Sequence, residues 1–172
     1  LFTQENKNLE EWGISADPAI FDVFDFPLAQ GDAHTALNEG NNVVISKKLA
    51  NKLFPHTEAL NKTITINEFG DEQIYLITGV LEDIPIQSSL QFEFILPYQT
   101  YLKQRPWINK WDNYNDRTVV LLEENVKASN ISDEIVDIIS EHMKSESKDA
   151  KIFLYAFEDM YLNANLSKGL EA

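Results

Sequence analysis

Apolar and polar positions between Gln73 and Pro97 follow a pattern around which the rest of the chain is arranged. Ile74 to Leu81 is nearly continuous in apolar residues. Leu90, Phe92 and Phe94 then alternate with Gln91 and Glu93, which predicts two strands around a Pro turn at Ile84-Pro85. Upstream, Thr63-Ile64-Thr65-Ile66 is a β-branched run that reverses at Glu68-Phe69-Gly70-Asp71, so a hairpin is expected between it and the strand that starts near Gln73. Val43-Val44-Ile45 reads as a short buried strand with Ser46 placed to cap a helix. On that helix Leu49, Leu53 and Phe54 share one face and Lys47, Lys48, Asn51 and Lys52 the other, until Pro55 stops it.

Shorter elements flank this middle. Leu9 to Ala16 puts Trp12, Ile14 and Ala16 on one side of an extended segment, and Asp17-Pro18 opens a short helix, Ala19 to Phe24, too apolar to lie in water. Pro97 to Gln104 is a second short helix with Tyr98, Tyr101 and Leu102, followed by a loop holding Trp107, Trp111 and Tyr114. Thr118 to Glu123 and Lys151 to Phe157 read as strands, the latter with Ile152, Leu154 and Ala156 facing opposite Phe153, Tyr155 and Phe157. Between them the longest helix is expected over Ile131 to about Ser145, capped by Ser129 or Asn130, with Ile131, Ile135, Ile138, Ile139 and Met143 as its apolar stripe. The two ends thus read as strand–helix units and the middle as short strands and a hairpin. An α+β, two-lobed fold is expected, with residues 28–104 as a β-rich lobe inserted into one built from 1–27 and 105–172.

A chain of 172 residues can bury about 70% of the surface its unfolded form exposes and needs no staple. The absence of Cys removes disulfides, thiolate metal sites and Cys nucleophiles together. A net charge of −14 repels nucleic-acid phosphates, so no nucleic-acid partner is expected. Apolar runs such as Val119 to Leu122 are far too short to span a membrane, and the chain is expected to be soluble as it stands. It starts at Leu1 rather than Met and is expected to be a piece of a longer protein.

Candidate chemistry is sparse. Glu82-Asp83 and Glu93 could form an acid–base pair, but adjacent acids at a strand end point to opposite faces and read first as solvated turn residues. His34, His56 and His142 have no spacing that links even two of them to a metal. The glycines are isolated, with no phosphate-binding loop, and there is no nucleophile elbow. Tyr98, Tyr101, Trp107, Trp111 and Tyr114 are the one group that could recognise a sugar, a lipid or a partner. The competing reading is an apolar cover over the sheet.

One order of motifs resembles a known family. Asp17-Pro18 with Phe21-Asp22-Val23-Phe24, then Gly31-Asp32, then Val43-Val44-Ile45-Ser46 with Leu49-Ala50 and Leu53-Phe54, leads to Ile77-Thr78-Gly79-Val80-Leu81-Glu82-Asp83-Ile84-Pro85, with Gln91-Phe92-Glu93-Phe94 at the close. Trp111 ahead of Thr118 to Leu122 continues it. This order resembles the MacB-like periplasmic core domain of ABC transporter permeases of the MacB/FtsX type, over about residues 15 to 166. Asn61 stands where that family usually has Gly before Lys62, and Pro55-His56 replaces the usual Gly after Phe54.

The resemblance implies a porter-like α/β lobe from both chain ends with the β-rich lobe inserted. It implies a non-catalytic domain on the periplasmic side, anchored in the cytoplasmic membrane through the transmembrane helices of the parent chain. ATP hydrolysis would occur in a separate nucleotide-binding subunit or domain. No cofactor or metal is implied; a periplasmic adaptor, a transported substrate and a second permease copy are the further partners it allows. The alternative is an extracytoplasmic ligand-binding module that uses the aromatic surface.

Overall fold

A computed structural model of the chain describes residues 2–4, 7–68, 71–111, 113, 116–142 and 150–159. Chain contacts divide it into two compact units, Leu1–Pro106 and Trp107–Ala172. The first contains a mixed sheet of eight strands: β1 (Phe2–Gln4), β2 (Lys7–Leu9), β3 (Gly13–Ala16), β4 (Leu28–Gly31), β5 (Asn42–Ser46), β6 (Thr63–Glu68), β7 (Asp71–Leu81) and β8 (Phe94–Pro97). Its helices are α1 (Ile20–Val23), α2 (Lys47–Leu53) and α3 (Tyr98–Gln104).

The strand order is β2-β1-β6-β7-β5-β8-β3, with β4 paired to β7. Every residue of β5 is buried, as its run of apolar β-branched residues requires of a strand covered on both faces. It lies parallel to β7 and antiparallel to β8. One face carries Val43, Ile45, Ile64, Ile66, Tyr75 and Ile77, closed over by Leu49, Leu53 and Phe54 of the α2 segment. The other carries Val44, Leu81 and Ile95 and is covered by Ala36, Leu37, Ile20, Phe21 and Phe26.

β7 is long enough to serve two partners in line. β6 pairs with residues 71–76 as the expected antiparallel hairpin, and β4 pairs with the far end from Gly79 to Leu81. Asn61 turns the chain into β6 at φ 63, the left-handed conformation that Asn tolerates better than most residues. Against β5 the register slips by one residue at Thr78, whose hydroxyl donates to the Ala36 carbonyl at 2.6 Å. This bulge lets Ile77 and Val80 face the same core although they are three residues apart. Gly31 approaches there at φ +95, and a Cβ on it would stand 2.4 Å from the Thr78 carbonyl oxygen.

The two strands of the Gln73–Pro97 stretch are therefore not neighbours: β5 lies between them. The second begins only at Phe94. Leu90 and Phe92 instead pack on the core below a closed turn, in which Ser88 N–H donates to the Pro85 carbonyl and the Gln91 amide donates to both the Pro85 and Ser88 carbonyls. β3, from the N-terminal segment, pairs in parallel with β8, so segments 1–27 and 28–104 contribute to one sheet.

In the second unit the expected long helix is two short ones, α4 (Ala128–Ile135) and α5 (Ile138–His142), separated by a turn at Val136-Asp137. Ser129 and Asn130 lie inside α4 rather than capping it. Thr118–Glu123 and Lys151–Phe157 are not strands. Both are apolar, β-prone runs, but a strand needs a ladder partner, and the N–H groups of Ile152 and Leu154 go to the Val136 carbonyl and the Ser132 hydroxyl. The Phe69-Gly70 turn, Met143 and Ser145 lie outside the described residues. Among the described residues no helix is long and apolar enough to cross a membrane.

Gly31→Ala is expected to destabilise the protein by about 3 kcal/mol, because a side chain is strained at this φ and its Cβ meets backbone. Asn61→Gly is expected to stay within about 0.5 kcal/mol of the parent, since Gly adopts the same left-handed turn freely. Urea denaturation of both variants against the parent checks the contrast.

Candidate functional site

The three carboxylates singled out in the sequence all converge on α2. Its first turn leaves backbone N–H groups without helical partners. Ser46 Oγ accepts from Leu49 N–H at 3.0 Å and Asp83 Oδ1 from Lys48 N–H at 3.0 Å. Both acceptors lie at the positive end of the helix dipole. Lys47 pairs with Glu82 at 3.1 Å, and Lys52, one turn on, pairs with Glu11 in the segment leading to β3.

Glu93 is the junction of this network. One carboxylate oxygen accepts from the Ser46 hydroxyl and the other from the Lys48 ammonium. Its carbonyl accepts from Ser46 N–H, and its own N–H donates to the Trp12 carbonyl, each at 2.8 Å. One residue thus joins β5, α2, the start of β8 and the segment before β3. Partial burial pushes the Glu93 carboxyl up, but the hydrogen bonds from Lys48 and Ser46, with the charges of Lys48 and Lys52, outweigh it and hold the group below its ordinary pKa. The same bond to Glu93, then its charge, raises Lys48. A carboxylate held below its ordinary pKa is ionised and has no proton to give at neutral pH, and each of its oxygens already accepts a hydrogen bond that ties it to β5 or α2. These acids fasten the helix.

The aromatic residues fall on both units. On α3, Tyr98 and Tyr101 are half-buried and stack at 5.9 Å, with the Arg105 guanidinium 4.6 Å over the Tyr101 ring. Trp107 and Trp111 belong to the second unit and are 59% and 46% exposed. Trp111 stacks on His142 at 4.1 Å, and the His142 Nδ1 lies 2.8 Å from the Ile138 carbonyl, so that nitrogen carries the proton. Tyr114 lies outside the described residues. Arg105 was readable as the residue one turn after Tyr101, whereas nothing in a separation of 31 residues ties His142 to Trp111.

His34 and His56 are exposed, and the described residues hold no group of three or more metal-ligating side chains. A groove of about 390 Å³ runs between Gln30 of β4 and Asn51, Phe54 and Thr57 at the end of α2. Gln30 Oε1 is buried there without a hydrogen-bond partner, and being shielded it is closed to a ligand in the groove.

Glu93→Gln is expected to cost about 1–3 kcal/mol at pH 7, by weakening two bonds to a charged acceptor. Glu82→Gln, at a half-exposed pair, is expected to cost less than about 1 kcal/mol. Because the folded pKa of Glu93 is depressed, its contribution is present above the ordinary carboxylate pKa and is lost as pH falls through the lowered value. The gap between the parent and Glu93→Gln should therefore close on the acid side of about pH 4, which a series of urea midpoints against pH will measure.

The family model of the MacB-like periplasmic core domain matches residues 2–138. Among solved structures, a domain of a putative permease protein from Porphyromonas gingivalis is 25% identical with a TM-score of 0.67, over 93% of this chain and 76% of that one. The periplasmic region of MacB from Actinobacillus actinomycetemcomitans shares the fold at 18% identity and a TM-score of 0.55, over 87% of this chain and 62% of that one. No curated protein matches. With the family model covering most of the chain, and with mixed-sheet neighbours of the same kind, the protein belongs to the MacB-like periplasmic core domain family.

Proposed function

We propose that this chain is the extracytoplasmic domain of an ABC transporter permease and that it couples ATP-driven motion of the parent's transmembrane helices to contacts outside the membrane. The observation that carries this reading is the family match over residues 2–138, supported by the likeness to a putative permease domain. The domain itself performs no catalysis; a separate nucleotide-binding subunit or domain hydrolyses ATP, and the parent chain anchors this part in the cytoplasmic membrane. The clasp around α2 supports a mechanical role, since a body that transmits displacement must keep its strands and helix in fixed relation.

A second reading, a ligand-binding module, is favoured by one observation: Trp107 and Trp111 expose large ring surfaces. A defined small molecule that raises the melting temperature of the parent chain, with the shift lost in Trp107→Ala, would favour that reading over the first.

This chain has no Cys, so once any Cys in the rest of the parent has been replaced, one introduced Cys is a clean topological reporter. In the full-length parent, Asn51→Cys on exposed α2 is expected to react in intact spheroplasts with a maleimide that cannot cross the membrane. The parent reading frame is expected to hold apolar runs of about 20 residues around this domain. Labelling only after lysis, or no such runs, would contradict the proposal.

A further inference from the structure

β5 and β7 finish, and β3 and β8 start, at the same end of the sheet, as the register pairs Ser46 with Leu81, Ile45 with Phe94 and Gly13 with Phe94. Trp12 leads into β3 at this end and is 77% exposed. Ile86, 87% exposed, sits in the connection that leaves β7 there and returns to β8. Neither position is loose. The Trp12 carbonyl is held by Glu93 N–H, and Ile86 lies inside the Pro85–Ser88 turn that the Gln91 amide locks, with Ile84 and Leu90 docked on the core on either side. Two large apolar side chains on fixed backbone lose little freedom when they are buried by something else, which is the anatomy of interface anchors.

Charge selects what that something is. The three lysines of α2 beside the anchors are each bound to a carboxylate, and Asp83 adds a further negative group. The rim is therefore net acidic on a chain of net charge −14. Such a surface repels anionic headgroups and is repelled by a second copy of itself, while it attracts a basic surface. We propose that this end of the sheet docks a protein that offers an apolar cleft rimmed by Lys and Arg, with Trp12 and Ile86 as the side chains inserted. The surface is argued from these residues, and its test rests on the transport reading only for the membrane-bound parent.

The test uses the full-length parent in its native membranes, with a photoreactive benzoylphenylalanine in place of Ile86 or, separately, of Trp12. Both positions are expected to give an adduct with the same protein, joined within an apolar cleft bordered by basic residues. The yield from position 86 should fall about tenfold when Trp12→Ala is added, and that from position 12 about tenfold with Ile86→Asp. Both should fall in about 0.5 M salt, where surface charges are screened. Ile86→Asp changes a side chain already in water, so an unchanged melting curve keeps folding out of the result. Adducts with lipid alone, no adduct, different proteins at the two positions, an adduct of the parent with itself, or yields indifferent to the other anchor or to salt would each overturn the proposal.

Discussion

The first unit depends on the complete burial of β5. On one side it joins the β6–β7 hairpin with β1, β2 and β4; on the other it joins β8 and β3. Apolar side chains alternate onto both cores, Val43 and Ile45 on one face and Val44 on the other, and its backbone is hydrogen bonded to both neighbours. A polar group placed in the middle of this strand would be desolvated on either face at a cost of a few kcal/mol. The strand ends where polarity is useful, since Ser46 turns the chain into α2 and its hydroxyl donates a hydrogen bond to Glu93.

From that point the electrostatics follow. A protein with twice as many acids as bases must place its few cations carefully, and three of them lie on α2 against Glu82, Glu93 and Glu11. In the Lys47–Glu82 pair both side chains are half-exposed, and charge alone contributes little there. The Glu93 junction differs because it adds backbone bonds from two strand segments to the ion pair, so geometry and charge reinforce each other. The groups that looked most like chemistry in the sequence are thereby committed to holding the fold, as suits a domain proposed to move as a body.

What could be read in the sequence was local. Val43-Val44-Ile45, the Ser46 cap and the Leu49/Leu53/Phe54 face each announce themselves within one turn or one strand pair, and the β6–β7 hairpin with its left-handed Asn61 is equally local. What was hidden is non-local. Nothing in the alternation of Leu90, Phe92 and Phe94 says that β5 will come between β7 and β8, or that Lys47 and Lys48 will meet acids 35 and 45 residues away. Thr118–Glu123 and Lys151–Phe157 carry strand propensity without a ladder, because a partner strand is a property of the whole fold. The family resemblance was visible because it rested on the order of many local motifs, and the family model now carries it over residues 2–138.

The proposed coupling to ATP-driven motion requires that the β5-centred unit, clasped at Glu93, travel as one body. This chain has no native Cys, so in a reconstituted parent cleared of any other Cys, spin labels can be placed at Asn51 on α2 and Gln87 in the Pro85–Ser88 turn, both exposed, with a third label in a transmembrane helix. Pulsed electron–electron resonance between nucleotide-free and ATP-trapped states is the direct measurement. The account predicts an unchanged 51–87 distance and a shift of both labels relative to the transmembrane one. A changed 51–87 distance, or no movement relative to the membrane helix, would contradict it.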